Sequence, residues 1–154
     1  MKKIYSNDTN LPYRSTDKTP LDSKRDIDGC LARYGIFKIM WVWDLEGNKV
    51  QLVFELSEDF KDTHIHALVR MHPPTIWKKP RRGHADAIDW KLSMRIFFWH
   101  IKNLLAMTYA MQSEKTLAFL PHIAVSDDVT IGDVIVPRLE EIQNLKALPR
   151  IDTQ

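Results

Sequence analysis

The sequence predicts an α+β fold: an antiparallel three- to four-stranded sheet packed by one long amphipathic helix, with short N- and C-terminal helices. Three observations carry this. Residues 86–112 lie in the longest run without Gly or Pro, and their apolar residues recur every three or four positions. Residues 36–72 hold three consecutive stretches of period-two alternation. Helix-start signals built on Thr19 and Thr130 flank this central region. A chain of 154 residues is large enough for one domain with a real core, and 44% apolar and 27% charged residues suit a soluble globular protein.

Residues 1–18 are rich in Asn, Asp, Ser and Thr and are expected to form a mobile polar arm, or one that orders against a partner. The single α+β domain is expected over 19–150. Thr19 is a good N-cap, Pro20 suits the first helical position, and Asp22 places a carboxylate at the positive end. Ile27, Cys30, Leu31 and Tyr34 make the apolar stripe of this first helix, and Gly35 ends it. Three strands follow. In 36–44, Phe37, Ile39, Trp41 and Trp43 share a face. Gly47-Asn48 supplies a tight turn, and Val50, Leu52, Phe54 and Leu56 form one face of 49–56. The acidic segment 57–62 reads as a connection. In 63–72, Ile65, Ala67, Val69 and Met71 oppose His64, His66, Leu68, Arg70 and His72, and Pro73-Pro74 ends the strand.

On the long helix, Trp90, Met94, Phe97, Ile101, Leu104, Leu105, Thr108 and Met111 project to one side. Lys91, Arg95, Trp99, Lys102, Ala106 and Tyr109 form a second stripe in which cations and aromatics alternate. Asp86 and Asp89 are expected to serve its positive N-terminus. Segment 117–125 is apolar, and Pro121 limits it to an edge strand or an extended segment. Thr130 with Asp133 resembles a capping box; a short turn at 131–136 and a helix from Pro137 to about Leu148, closed by Pro149, complete the chain.

Net charge is only +2, but its distribution is uneven. Residues 64–102 hold eight Lys/Arg against two Asp/Glu, whereas 1–63 hold ten against eleven and 103–154 four against seven. Such a local field suits an anionic partner, and nucleic acid is the commonest large one. Trp77, Lys78, Lys79, Arg81 and Arg82 lie just before the long helix, and Lys91, Arg95, Trp99 and Lys102 lie along it. Cations hold phosphates and exposed aromatics stack on unpaired bases, so single strands are favoured over duplex. The ordinary alternative is a solvated helix face with Trp99 and Tyr109 packed under a terminal helix.

Other chemistry is poorly supported. His64, His66 and His72 share a strand face, yet two imidazoles need further ligands, and His84 or His100 would join them only by a coincidence of folding. Ordinary strand histidines are the simpler reading. The acidic pairs Asp127-Asp128 and Glu140-Glu141 belong to a turn and an exposed helix. No Gly-rich phosphate loop and no Gly-x-Ser-x-Gly elbow is present, so no catalytic residue, metal or cofactor is assigned. Cys30 is the sole cysteine, which excludes an intrachain disulfide and fits a reducing, cytoplasmic setting. No apolar run approaches the ~20 residues of a membrane helix, and the N-terminus lacks the apolar core of a secretion signal.

Several local patterns resemble a family of small, uncharacterised phage, prophage and mobile-element proteins. They are Tyr34-Gly35, Trp41 and Trp43, Arg95 and Lys102, the run Phe119-Leu120-Pro121-His122-Ile123, Thr130-Ile131-Gly132-Asp133, and Pro137. The chain departs from the pattern at Asp127-Asp128-Val129, where the family has a glycine turn, and near Ala106, where it has an acid. The resemblance implies one fold over about 20–148 and a mobile-element setting, with no activity attached. The function expected is therefore non-catalytic binding of single-stranded DNA or RNA through one continuous open patch. The rival is a protein-binding or self-associating module, since five Trp exceed what one small core needs.

Overall fold

The computed structural model describes residues 2–139 and 141. Helix α1 spans Pro20–Arg33, strands β1, β2 and β3 span Ile39–Asp44, Lys49–Phe60 and Thr63–Met71, and helix α2 spans Trp90–Ala110. Short helices α3 (Lys115–Ala118) and α4 (Ile131–Ile135) follow, each continued by a single 3-10 turn. The sheet is antiparallel in the order β1-β2-β3.

Local chemistry fixes the helix ends. Thr19 and Asp22 form a reciprocal capping box, in which the Thr19 hydroxyl accepts from the Asp22 N–H and the Asp22 carboxylate from the Thr19 N–H. At the other end the Ile36 N–H reaches the Leu31 carbonyl at 3.0 Å and the Gly35 N–H reaches Ala32 at 3.0 Å. This is the Schellman arrangement. It needs a left-handed residue, which Gly35 supplies with φ 81°, and it folds buried Ile36 back onto buried Leu31. Asp89 caps α2 by accepting from the Leu92 N–H, whereas Asp86 pairs with Lys3 and leaves the helix end alone.

One apolar core joins the elements. The inward row of β2 (Val50, Leu52, Phe54, Leu56) and Val69 and Met71 of β3 are buried in the same cluster as Met94, Phe97, Ile101 and Leu105 of α2. Helix α1 adds Ile27, Cys30 and Leu31. Phe54 meets Phe119 edge-on at 5.2 Å, and Trp41 meets Phe97 at 6.4 Å. Each fully buried large side chain contributes about 1.5–3 kcal/mol, so this cluster holds the fold.

Several boundaries move from their expected places. Residues 57–60 continue β2 instead of connecting strands, because Lys61 and Asp62 form a two-residue turn at φ 44° and 65° that lets pairing run to the end. The first hairpin closes through a wider loop, 45–48, with Asn48 in the left-handed region and the Asp44 carboxylate accepting from the Gly47 N–H at 2.8 Å. Helix α2 starts at Trp90, after loop 78–87 has closed through Lys78–Ala87 backbone pairing, and Met111 lies at its C-cap, 70% exposed. Segment 117–125 is no strand. It holds the end of α3, a 3-10 turn across Pro121 and two isolated bridges, Ile123 to Val69 and Ala124 to Thr130, because Pro121 has no N–H to offer a ladder. Thr130 and Asp133 do form the capping box, and the helix expected over 137–148 falls largely outside the described residues.

The two most distinctive sequence blocks meet in space. The Ile131 N–H bonds to the Ile123 carbonyl at 2.8 Å, and a side chain placed on Gly132 would sit 2.7 Å from the Pro121 carbonyl oxygen. Backbone cannot yield as a flexible side chain can, so Gly132→Ala should cost about 1–3 kcal/mol and lower Tm by several degrees. An unchanged Tm would show that 119–123 and 130–133 do not pack in this way.

His122 and His100 meet edge-on at 6.4 Å. Burial lowers both pKa values from 6.5, and for His122 the neighbouring His100 and His72 lower it further. Both rings bind protons less readily folded than unfolded. Stability is therefore fully present above the ordinary value of 6.5 and falls as pH drops below it. Asp22 and Asp133, held below 3.8 by their capping hydrogen bonds, act only in a lower window. Tm should fall between pH 7.5 and 5.5, and His122→Gln should flatten that slope; an identical slope in the variant would remove the histidine pair as its cause.

Candidate nucleic-acid interface

The basic residues separate into two clefts. The first lies in the loop before α2. Lys78, Lys79, Arg81, His84, Asp86 and Asp89 line a hollow of about 520 Å³ together with Ser6 of the arm. Two backbone contacts shape the loop: Trp77 pairs with Ile88, and the Asp89 N–H bonds to the Ile76 carbonyl. The four cations of 78–82 are exposed. Asp86 and Asp89 weaken the local field, and Asp86 is in turn engaged by Lys3.

The second cleft is a groove of about 330 Å³ between α1 and α2. Its walls are Arg25, Asp26, Gly29, Cys30 and Arg33 from α1, and Arg95, Phe98, Trp99 and Lys102 from α2. Four cations thus face a single carboxylate. That carboxylate is committed, because Arg95 Nη1 lies 2.7 Å from Asp26 Oδ2 and the Arg95 side chain is only 11% exposed. The Arg95 guanidinium also stands 4.2 Å above the Phe98 ring. Lys102 Nζ lies 4.6 Å from the centre of Trp99. The groove is an aromatic floor edged by positive charge, as base stacking and phosphate contact require.

The predicted residues distribute unevenly over this geometry. Lys78, Lys79, Arg81, Arg82 and Lys91 are exposed; Trp77, Trp99 and Lys102 are partly buried; Arg95 is an internal ion-pair partner. Trp77 and Trp99 do not share a cleft. The two clefts share no lining residue, so the residues expected to form one continuous open patch are divided between two sites. Arg25 and Arg33 were missed in the sequence. They are eight apart on α1, a spacing that puts them on one helix face, but nothing in the sequence tells which face meets α2.

The arm lies against both tryptophans. Tyr5 and Trp77 form a parallel bridge, with the Ser6 N–H donating to the Trp77 carbonyl at 2.7 Å, and Lys3 Nζ sits 4.5 Å over the Trp77 ring. Tyr13 stacks on Trp99 at 5.2 Å with planes 11° apart. The remaining tryptophans also have internal partners. Trp41 Nε1 donates to Asp28 at 2.8 Å, Trp43 meets Trp41 edge-on at 5.9 Å, and Trp90 Nε1 donates to the Leu45 carbonyl. Helix α1 also covers Trp41 and Trp43, bringing Lys24 Nζ to 5.4 Å and 5.9 Å from their ring centres.

Among the described residues no group of three or more His, Cys, Asp or Glu is placed to hold a metal ion, and no helix is long and apolar enough to cross a membrane. No family model, curated protein or solved structure matches the chain. The likeness to mobile-element proteins therefore rests on the local patterns alone.

Proposed function

We propose that the protein binds single-stranded nucleic acid, without altering it chemically, in the cytoplasm, serving a phage or other mobile element. The α1–α2 groove is its primary site and the basic loop 78–82 a second phosphate contact. The observation that carries this reading is the groove itself: Arg25, Arg33 and Lys102 surround Trp99 while the local carboxylate is occupied by Arg95. Arg95 then acts by orienting α1 against α2, and the other three cations hold phosphates. Trp99 stacks on a base. Tyr13 presently stacks there, so the arm and a base compete for one ring face.

Salt dependence tests the reading. Binding of a fluorescent oligothymidylate of about 20 nucleotides should be measurable at ~50 mM salt and weaken on a log–log slope between roughly −2, from the three groove cations alone, and about −5 when the four loop cations also engage, since each single-strand phosphate contact adds about −0.7. Arg25→Glu with Arg33→Glu should weaken it at least tenfold and flatten the slope. Trp99→Ala should cost about 1–3 kcal/mol of affinity. Tyr13→Ala should tighten binding several-fold by freeing the ring. Absent binding at ~50 mM salt, or indifference to the double reversal, would overturn the proposal. The rival, self-association, draws on Tyr109, Met107 and Met111, which are 77%, 60% and 70% exposed at the end of α2; light scattering that reports a dimer lost in Tyr109→Ser would favour it.

A further inference from the structure

We propose that the β2–β3 hairpin carries a second, independent site: a Ser57–His64–Asp59 constellation able to hydrolyse small carboxylic esters with an apolar acyl group. The hairpin register creates it. The two-residue turn at Lys61-Asp62 makes Asp59 face His64 and Ser57 face His66. Side chains two apart on a strand share a face, so all four project from one side of the ribbon. His64 bridges the other two. Its Nδ1 lies 2.8 Å from Asp59 Oδ1, and its Nε2 lies 3.0 Å from Ser57 Oγ.

The order of these contacts matters. A carboxylate can only accept, so Nδ1 carries the hydrogen in the neutral ring and Nε2 is left as an acceptor for the Ser57 O–H. That is the polarity a general base needs toward a nucleophilic serine, and it recurs on unrelated folds because geometry alone defines it. A surface histidine with two chance partners does not require opposite ring nitrogens bound to an acid and a hydroxyl in this arrangement. Ser57 also borders a hollow of about 410 Å³ lined by Phe37, Glu55 and His66, with Lys115 and Lys38, the latter paired to Glu55 at 3.1 Å, at its edge. The exposed Phe37 ring offers an acyl chain its apolar surface, and Lys115 places positive charge at the rim of the hollow.

The chemistry balances with water as co-reactant. Ser57 Oγ bonds to the ester carbonyl carbon, its proton passes to His64 Nε2, and the carbon–alkoxide bond breaks as Nε2 returns that proton to the departing alcohol. Water then gives a proton to Nε2 and its oxygen to the acyl carbon; the Ser57–acyl bond breaks and Oγ recovers the proton. Asp59 touches no substrate and is a positioning residue. Its side chain is 86% exposed and that of His64 58%, so solvent screens the pair and turnover is slow.

The full chain should hydrolyse p-nitrophenyl butyrate above the rate of free imidazole. A fluorophosphonate probe should label Ser57, located by peptide mass mapping of the unmodified protein, which does not depend on any variant folding. Ser57→Ala and His64→Gln, with unchanged circular dichroism, should each lower kcat/KM at least tenfold. Asp59→Asn should lower kcat with KM unchanged, a split that loss of a mere structural contact would not produce. Hydrolysis that survives Ser57→Ala, or a probe that leaves Ser57 unlabelled, overturns the proposal. Oligonucleotide binding is unaffected by these variants, so failure here leaves the groove reading standing.

Discussion

Burial of two adjoining strips of α2 is the constraint from which the architecture follows. Met94, Phe97, Ile101 and Leu105 share the core of the sheet, and Phe98, one position on from Phe97, turns toward α1. A three-stranded sheet and a single long helix could not bury both strips, so α1 must lie alongside α2. Once α1 is there, the neighbouring stripe of Arg95, Trp99 and Lys102 becomes the wall of a groove instead of a free surface. The Arg95–Asp26 pair then closes the contact from the polar side. Partly exposed pairs of this kind contribute about 1 kcal/mol at most, so it orients the two helices more than it holds them. Cohesion comes from the apolar strips.

Much of this was legible in the chain because the relevant signals were local. Thr19-Pro20 with Asp22, Gly35, the alternation of Val50, Leu52, Phe54 and Leu56, and Thr130 with Asp133 each specify structure within four residues of themselves. The misjudged parts depend on pairing at a distance. Residues 57–60 look like an acidic loop, and nothing nearby says that Lys61 and Asp62 accept positive φ and extend the ladder. Arg95 looks like a free cation until Asp26, sixty-nine residues earlier, is placed beside it. The same limit hid Arg25 and Arg33 from the site, and it hid the hairpin constellation: Ser57, Asp59 and His64 are close in sequence, but only the register puts the two strands' side chains in contact.

The arm illustrates how weak contacts can still decide exposure. Tyr13 on Trp99 and Lys3 on Trp77 are the kinds of ring contact worth about 0.5–1.5 kcal/mol each. These contacts, together with the Tyr5–Trp77 bridge and the Lys3–Asp86 pair, offset only part of the entropy of ordering the arm. A ligand that stacks equally well on Trp99 and adds phosphate contacts therefore displaces the local part of the arm without disturbing the core. Tyr13 offers the ring a planar partner with no charge, whereas a nucleotide offers a planar partner with one.

Why the groove should keep its charges unneutralised is a question of magnitudes. In water, two unit charges about 8 Å apart repel by only about 0.5 kcal/mol, and physiological salt screens that further. Arg25, Arg33 and Lys102 can stand around one occupied carboxylate at small cost to a core held by many apolar side chains. The arrangement is cheap for the folded state but strongly asymmetric toward ligands: an anion entering the groove is attracted by several cations whose one nearby acid is already paired, and a cation is repelled by the same set. A purely structural groove would gain by placing a second acid on α1, at Gly29 for instance, where a side chain would meet no atom within 4 Å. Glycine instead leaves that part of the groove wall free of any side chain.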